Sequence, residues 1–506
     1  MTVQRPPDPF PRTALRITLV LIFLAALAIR LYDLDDPPLD FHPARQIHSA
    51  LIARGFFAHL EPDLPDFERD RSMALGNSEI WIEPPIMETL TAAVYYLVGD
   101  DPLWVARIYA IIFWLAGGIA VFLLSRQMTD NCGALLALLF YLLLPYGIIA
   151  SRSFQPDPLM VSLLCFSAWA LLRWAQKSTW RSAILAGTLS GLCILVKQVA
   201  VFMVLGAVCA VVLANGGLRK ILKDKQTWLV GALALIPILA YNIYGIFVAG
   251  FLAGQYNLRF FPSLLINPAF YIQWASLIDQ VVTIPAFLLA VLGILLIEKR
   301  MGRYLMFGLG AGYILYAMVF AYHASTHDYY HLPLIPLVAM GISPAVLLVI
   351  HKARQLHRGW FSTALITAVV AVSCMFSLWQ ARAELKRTDY RQEPQRWRSI
   401  AEKMGWMEAA PIGLFNDYGA RLLYWGYIVP EAYPSRGDLK MAQLAGRTPS
   451  SEDIASRIAG KNYFIVTDFD EFESQPELRQ FLYDNYPVFQ QGDGYLIFDL
   501  RHPKEH

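Results

Sequence analysis

Charge is what this chain has least of. Aspartate, glutamate, lysine and arginine make up 16% of its 506 residues, whereas 56% are hydrophobic and the mean hydropathy is +0.42. A soluble protein of this size needs more charge than that to cover its surface. The net charge of +2 is too small to attract nucleic acid, and no basic run interleaved with aromatics appears. Cysteine is scarce as well. The five cysteines (Cys132, Cys165, Cys193, Cys209 and Cys374) lie in apolar stretches, with neither paired nor metal-ligand spacing. They read as packing residues, buried or facing lipid. There is no repeat of fixed period and no low-complexity tract.

What the chain does have is apolar runs. Eleven segments, near 15–32, 103–124, 132–150, 158–175, 182–196, 199–214, 227–249, 280–297, 303–321, 332–350 and 361–380, approach the length of a membrane span. That length is roughly 20 residues, enough to cross about 30 Å of hydrocarbon. The pair around Lys197 is the shortest. The first segment follows Arg5, Arg12 and Arg16 and ends in Arg30-Leu31-Tyr32-Asp33 with no small-residue cleavage site, so it reads as a retained anchor. Basic residues gather in five connectors: Arg126, then Arg173/Lys177/Arg181, Arg219/Lys220/Lys223/Lys225, Lys299/Arg300/Arg303 and Lys352/Arg354/Arg358. All five fall on the N-terminal side, which the positive-inside rule makes cytoplasmic.

The other face carries the long 34–101 segment, the 151–157 turn, the Lys197 turn, the 250–279 loop, 322–331 and everything after about 381. That tail is charged and alternates like a soluble α/β domain. Strand-like runs lie at 412–415, 463–466 and 495–498, with helix-like runs near 393–404, 451–458 and 471–484. The expected organisation is a membrane domain over 1–384, with its first outer loop at 34–101, and an extracytoplasmic α/β domain over 385–506. The 13% aromatic content suits the interfacial belts of such a protein.

The polar residues concentrate on that outer face. Asp40, His42 and Arg45 precede a helix-like stretch from Ile47 to Leu60, patterned like a helix lying along the membrane interface. At the edge of low dielectric the Asp40 carboxylate can act as a general base with a raised pKa; as plain structure it would cap the helix ahead of Pro43. Arg152 and Asp157 sit in Ser151-Arg152-Ser153-Phe154-Gln155-Pro156-Asp157-Pro158, where two prolines aim the carboxylate; the plain reading is again a cap, with Arg152 as its ion partner. His323, His327 and His331 recur at spacing four, as metal ligands do. Together with Tyr329 and Tyr330 they also form the donor-rich rim that a phosphate would use. Lys197 lies between two apolar stretches, where it either snorkels outward or neutralises a lipid phosphate. Glu83-Pro84-Pro85, Glu88 and Arg259 lie on the same side, as site residues or as interfacial anchors.

In this order the features resemble the GT-C glycosyltransferases that use lipid-phosphate sugars, among them the protein O-mannosyltransferases and the bacterial lipid A aminoarabinose transferases. The resemblance runs over nearly the whole chain. It rests on the acidic first outer loop, Pro84-Pro85, the Arg152/Asp157 turn, Lys197 ending a Gly-Leu-x3-Val-Lys stretch, and His327 to Pro333. It implies Asp40 as base or metal neighbour and Asp157 as a residue that holds the site. Lys197, Arg259, His327, Tyr330 and His331 would bind the donor phosphate, with His42, Arg45, Glu83, Arg152 and Tyr329 in support. A divalent metal on Asp40, Asp157 and His327 fits the same acids, although the ligands are scattered in sequence. Two departures stand out. Asp40-Phe41-His42 replaces the usual Asp-Glu pair, with His42 standing in for the second acid, and Glu83 replaces the lysine that related transferases often carry before Pro-Pro.

The implied reaction is a single inverting transfer of a hexose or pentose from a polyprenyl-phosphate carrier to a lipid, glycan or protein acceptor. It would take place on the outer face of an inner (plasma) membrane, with membrane lipids around the enzyme. The competing reading is a transporter or flippase for a polyprenyl-linked substrate. Transporters tend to place polar groups near the bilayer midplane and to show related halves; here the polar groups crowd one interface. A third reading, a receptor or assembly protein, would put the function in the tail alone.

Overall fold

The computed structural model describes residues 11–255, 259–356, 360–444 and 454–504. Asn257, Leu258 and Arg358, and part of the 451–458 run, lie outside them. All eleven apolar segments form helices. Seven helices among the described residues are long and apolar enough to cross a membrane, and an eighth counts if Pro268–Val282 and Ile284–Leu295, which meet at 87°, form one broken span. Of the other three segments, one forms the 20-residue helix Arg300–Val319, which carries Arg300 and Arg303, and two are short for identifiable reasons. The 132–150 segment divides into Asn131–Leu143 and Pro145–Ala150, because Pro145 has no N–H to continue the ladder. The helix Trp180–Val196 stops where Lys197 takes an extended backbone, and a 3₁₀ turn, Gln198–Ala200, leads into the next helix. Helices such as Trp360–Leu385 turn Trp360, Phe361, Val369, Met375 and Trp379 outward, as a lipid-facing surface requires.

The chain packs as two compact units. The first comprises the residues up to Asp35, Ile80–Met87 and Trp104–Thr388; the second comprises Asp36–Glu79, Glu88–Leu103 and the residues from Asp389 on. The first unit is a helical bundle. Arg30, at the end of the first helix, is buried and donates from Nε to the Ser151 hydroxyl at 2.7 Å. The Arg152 guanidinium reaches the Asp33 carbonyl at 2.8 Å, so two buried arginines pin the 151–156 turn. All five cysteines are free.

The second unit contains a five-stranded mixed sheet of order β2-β1-β3-β5-β4, formed by β1 (Pro411–Leu414), β2 (Glu431–Ala432), β3 (Tyr463–Val466), β4 (Val488–Gly492) and β5 (Tyr495–Asp499). β1 runs parallel to β2 and β3, and β5 runs antiparallel to β3 and β4. Ile412, Leu414, Phe464, Val466, Leu482, Leu496 and Phe498 make its core.

The helices Pro43–Leu60 and Asp66–Ser78 belong to this unit. They cross where Gly55 meets Gly76; a Cβ on Gly55 would lie 2.9 Å from the Gly76 Cα, so only glycine allows the approach. Residues 49–55 are all buried, which encloses the first of these helices on every side; a helix half in lipid shows one covered face. Ile86–Val98 has the one-sided pattern instead, with Met87, Ala92 and Tyr95 covered and Leu90, Tyr96, Leu97 and Val98 exposed.

Arg54 is the polar centre of the second unit. Its guanidinium pairs with the Asp101 carboxylate, donates to the Tyr424 carbonyl at 2.6 Å and stacks 3.4 Å from the Tyr424 ring centroid. Burial works to lower its pKa, but Asp101, Tyr424 and Tyr427 outweigh that and hold the guanidinium above its ordinary value.

Candidate active site

The candidate residues divide between the two units. The first unit holds Asp157, Lys197, Arg152, Glu83, Arg259, His327, Tyr329, Tyr330 and His331; the second holds Asp40, His42 and Arg45.

In the first unit the centre is an ion pair. Asp157 opens the helix Asp157–Lys177 directly behind the N-cap Pro156, and one of its oxygens accepts from the Lys197 ammonium at 2.6 Å. Side-chain exposure is 1% for Asp157 and 5% for Lys197, so the charges rely on each other. Two aromatic faces complete the cradle, with the Lys197 Nζ 5.4 Å from the Tyr329 ring centroid and 5.8 Å from that of Tyr330. Tyr330 in turn stacks on Tyr316 and on His323. His327 packs beside His323 and Tyr330, and its Nδ1 lies 2.7 Å from the Thr326 hydroxyl. Next to Lys197, the Gln198 amide donates to the Ile82 carbonyl at 3.2 Å and pairs with Asn242, while the Tyr241 hydroxyl donates to the Trp81 carbonyl at 2.9 Å. These contacts hold the segment carrying Glu83, itself half-buried, against the turn that follows Lys197 and the end of the helix Lys225–Ile243. Arg259 donates from Nε to the Gln255 carbonyl of its own loop at 2.9 Å.

His331 differs from the other histidines. It is fully buried, its Nε2 lies 2.9 Å from the Ala324 carbonyl and its Nδ1 lies 2.8 Å from the Tyr313 hydroxyl. A carbonyl only accepts, so Nε2 carries the proton and Nδ1 accepts from tyrosine. Both nitrogens are thereby engaged, and the expected phosphate contact from His331 gives way to a structural role. Burial lowers its pKa from 6.5 to about 4, against the opposing effects of the Ala324 carbonyl and Asp328. Between those two values the unfolded chain holds a proton that the folded chain does not, so stability falls as pH drops through that window. The loss is at most about 3 kcal/mol. His331→Gln keeps a donor and an acceptor without titrating. Its melting profile in detergent should be flatter than wild type between about pH 6.5 and pH 4; superimposable profiles would show that His331 is not held neutral.

In the second unit Asp40 is exposed between buried Leu39 and Phe41. It does not cap the following helix: the N-cap is His42, which makes no side-chain cap bond and has a left-handed backbone at φ 47°. The His42 ring meets Phe41 edge to face at 4.6 Å. Arg45, half-buried, lies in the first turn of the helix. Among the described residues no three His, Cys, Asp or Glu side chains converge as a metal site requires. Asp157, one of the three expected ligands, already has an oxygen engaged by Lys197. No metal-borne step is therefore assigned to this constellation.

The arrangement can be compared with known proteins. Over 95% of this chain and 97% of its own, the structure superposes on ArnT from Cupriavidus metallidurans bound to undecaprenyl phosphate, with a TM-score of 0.57 at 15% identity. The fold is GT-C. The Archaeoglobus fulgidus oligosaccharyltransferase AglB, solved with an inhibitory peptide and a dolichol-phosphate, matches over 96% of this chain and 74% of its own, with a TM-score of 0.54 at 13% identity. The same archaeal enzyme in complex with zinc and sulfate gives 0.53 at 12% identity, covering 95% of this chain and 73% of its own. Residues 82–244 match the dolichyl-phosphate-mannose-protein mannosyltransferase family. No curated protein matches the chain by sequence. The stretch matched within this GT-C chain contains both Asp157 and Lys197.

Proposed function

We propose that this protein is an integral-membrane glycosyltransferase that moves a sugar from a polyprenyl-phosphate carrier to an acceptor on the extracytoplasmic face of the plasma membrane. The observation that carries the reading is the family match over 82–244, the stretch that includes the buried Asp157–Lys197 pair. The undecaprenyl phosphate and dolichol-phosphate in the ArnT and AglB structures support the donor class, since both are isoprenoid phosphates. The helices able to span a membrane support a multi-pass protein. The five basic connectors support a cytoplasmic N-terminus, and crossings by all eleven apolar segments, an odd number, would put the C-terminal segment outside.

The reaction is one inverting displacement. The Asp40 carboxylate takes the proton of an acceptor hydroxyl or amine, whose heteroatom attacks the anomeric carbon from the side opposite the phosphate. The bond from that carbon to the phosphate oxygen breaks, and its electron pair leaves on a phosphate monoester dianion. Lys197, Arg259, His327 and Tyr330 stabilise the charge that develops there. An ammonium carries three donors, of which Asp157 takes one. Asp157 and the faces of Tyr329 and Tyr330 keep Lys197 in place, and His331 orders the rim from behind.

The test is a transfer assay on purified protein in detergent with a panel of polyprenyl-phosphate hexoses and pentoses, following release of free polyprenyl phosphate. Release is expected from at least one donor, in equal amount to the sugar moved. Folded protein that releases none, yet moves intact donor across vesicles, would overturn the reading in favour of transport.

A further inference from the structure

The loop that carries Asp40 is held by a side chain with no part in the chemistry above. Gln46 lies on the first turn of the helix Pro43–Leu60 and is 1% exposed. Its amide nitrogen donates to the Pro38 carbonyl at 3.0 Å and to the Phe41 carbonyl at 2.6 Å, so both amide hydrogens clip the backbone on either side of Asp40. Leu39 and Phe41 are buried at 4% and 7%, which leaves the residue between them directed outward. Between the clipped segment and the helix stands His42, left-handed and directly before Pro43, a backbone state that non-glycine residues adopt only when their surroundings enforce it. On the N-terminal side, the carboxylate of buried Asp36 accepts the Tyr390 N–H at 2.8 Å and fixes the start of the same loop.

From this geometry we infer that Gln46 is a positioning residue: it holds the Asp40 carboxylate in the orientation needed to take the acceptor proton. The inference rests on the glycosyltransferase reading for its kinetic consequence, but not for its structural one. A planar amide donating to two carbonyls fixes direction as well as distance, because both hydrogens lie in one plane. Releasing it frees a short exposed loop whose base must meet the acceptor proton within hydrogen-bond reach.

The experiment uses full-length protein in detergent and the variant Gln46→Leu, with Gln46→Glu, which keeps the shape and loses both amide donors, as a second variant in case the first does not fold. Turnover should fall by about 10²-fold, the loss that follows from a misplacement of roughly 1 Å, with the donor KM within about twofold of wild type. In an Asp40→Asn background the same change should cause no further loss, since there is no carboxylate left to misplace. A loss of the same size in that background, or unchanged turnover, would overturn the inference. Hydrogen–deuterium exchange at the amides of Leu39 to His42 gives a readout independent of activity. It should accelerate in either variant, and exchange unchanged from wild type would overturn the inference even if no donor is found. Wild type that transfers no sugar would count against the glycosyltransferase reading alone, leaving the exchange result to decide the role of Gln46.

Discussion

Asp40→Asn is expected to slow sugar transfer by about 10²–10⁴-fold, the contribution typical of a general base. Three observations make this a clean substitution. The carboxylate is exposed, where substitutions cost least. It does not cap the helix that follows, because His42 occupies the N-cap. The flanking Leu39 and Phe41 keep the loop anchored whichever side chain lies between them. Stability should therefore change by no more than about 0.5 kcal/mol, as for surface substitutions generally. An interaction made only in the transition state lowers kcat and kcat/KM together, and that is the pattern expected here. The measurement is single-turnover release of polyprenyl phosphate beside the melting temperature of both proteins. Unchanged release from folded Asp40→Asn would remove the base assignment and leave the donor class standing.

The membrane architecture was the most legible part of the sequence. A run of apolar residues near the length of a bilayer constrains the chain to a helix whatever its neighbours do, and all eleven such runs are helical. The sites of breakage were less legible. Pro145 announces one, and Pro285, in the first turn after Thr283, announces another, but the 87° angle between those two helices is not written in the sequence. In the C-terminal segment, the strands with dense apolar runs, β1, β3 and β5, stood out. β2 and β4 did not, because a two-residue exposed strand and Val488-Phe489-Gln490-Gln491-Gly492 carry little alternation. The helix-like stretch at 471–484 is interrupted before Pro476, which the proline could have signalled.

The polar clusters show a different limit. Asp157 and Lys197 were conspicuous as charges beside apolar runs, but nothing in a 40-residue separation indicates that they pair. His327 and His331 look alike in sequence, four residues apart. One is half-buried on an aromatic rim, the other is sealed between Tyr313 and the Ala324 carbonyl. Gln46, Gln198, Arg30 and Tyr241 gave no motif at all, because their roles are set by backbone carbonyls and a hydroxyl that the fold brings to them. For Gln46 a faint signal existed, namely a long amide in the first turn of a helix that is otherwise largely apolar.

Lys197→Met is expected to destabilise the protein by about 3–5 kcal/mol, the cost of leaving one member of a buried ion pair without its partner. Methionine preserves the length and packing of the lysine stem, so the loss reports the charge and not a cavity. Asp157→Asn should cost a similar amount for the mirror reason, a buried ammonium without its carboxylate. The double variant Asp157→Asn/Lys197→Met removes both charges at once. Its stability should lie closer to wild type than the sum of the single losses predicts, because a well-packed neutral pair can replace a buried ionic one. Thermal denaturation of the four proteins in one detergent measures that coupling directly. Activity separates the two roles of Lys197. If its ammonium stabilises the departing phosphate, the double variant should recover stability without recovering transfer, because no neutral group replaces a cation beside a forming dianion. Recovery of transfer along with stability would confine Lys197 to a structural role and move phosphate binding to Arg259 and His327.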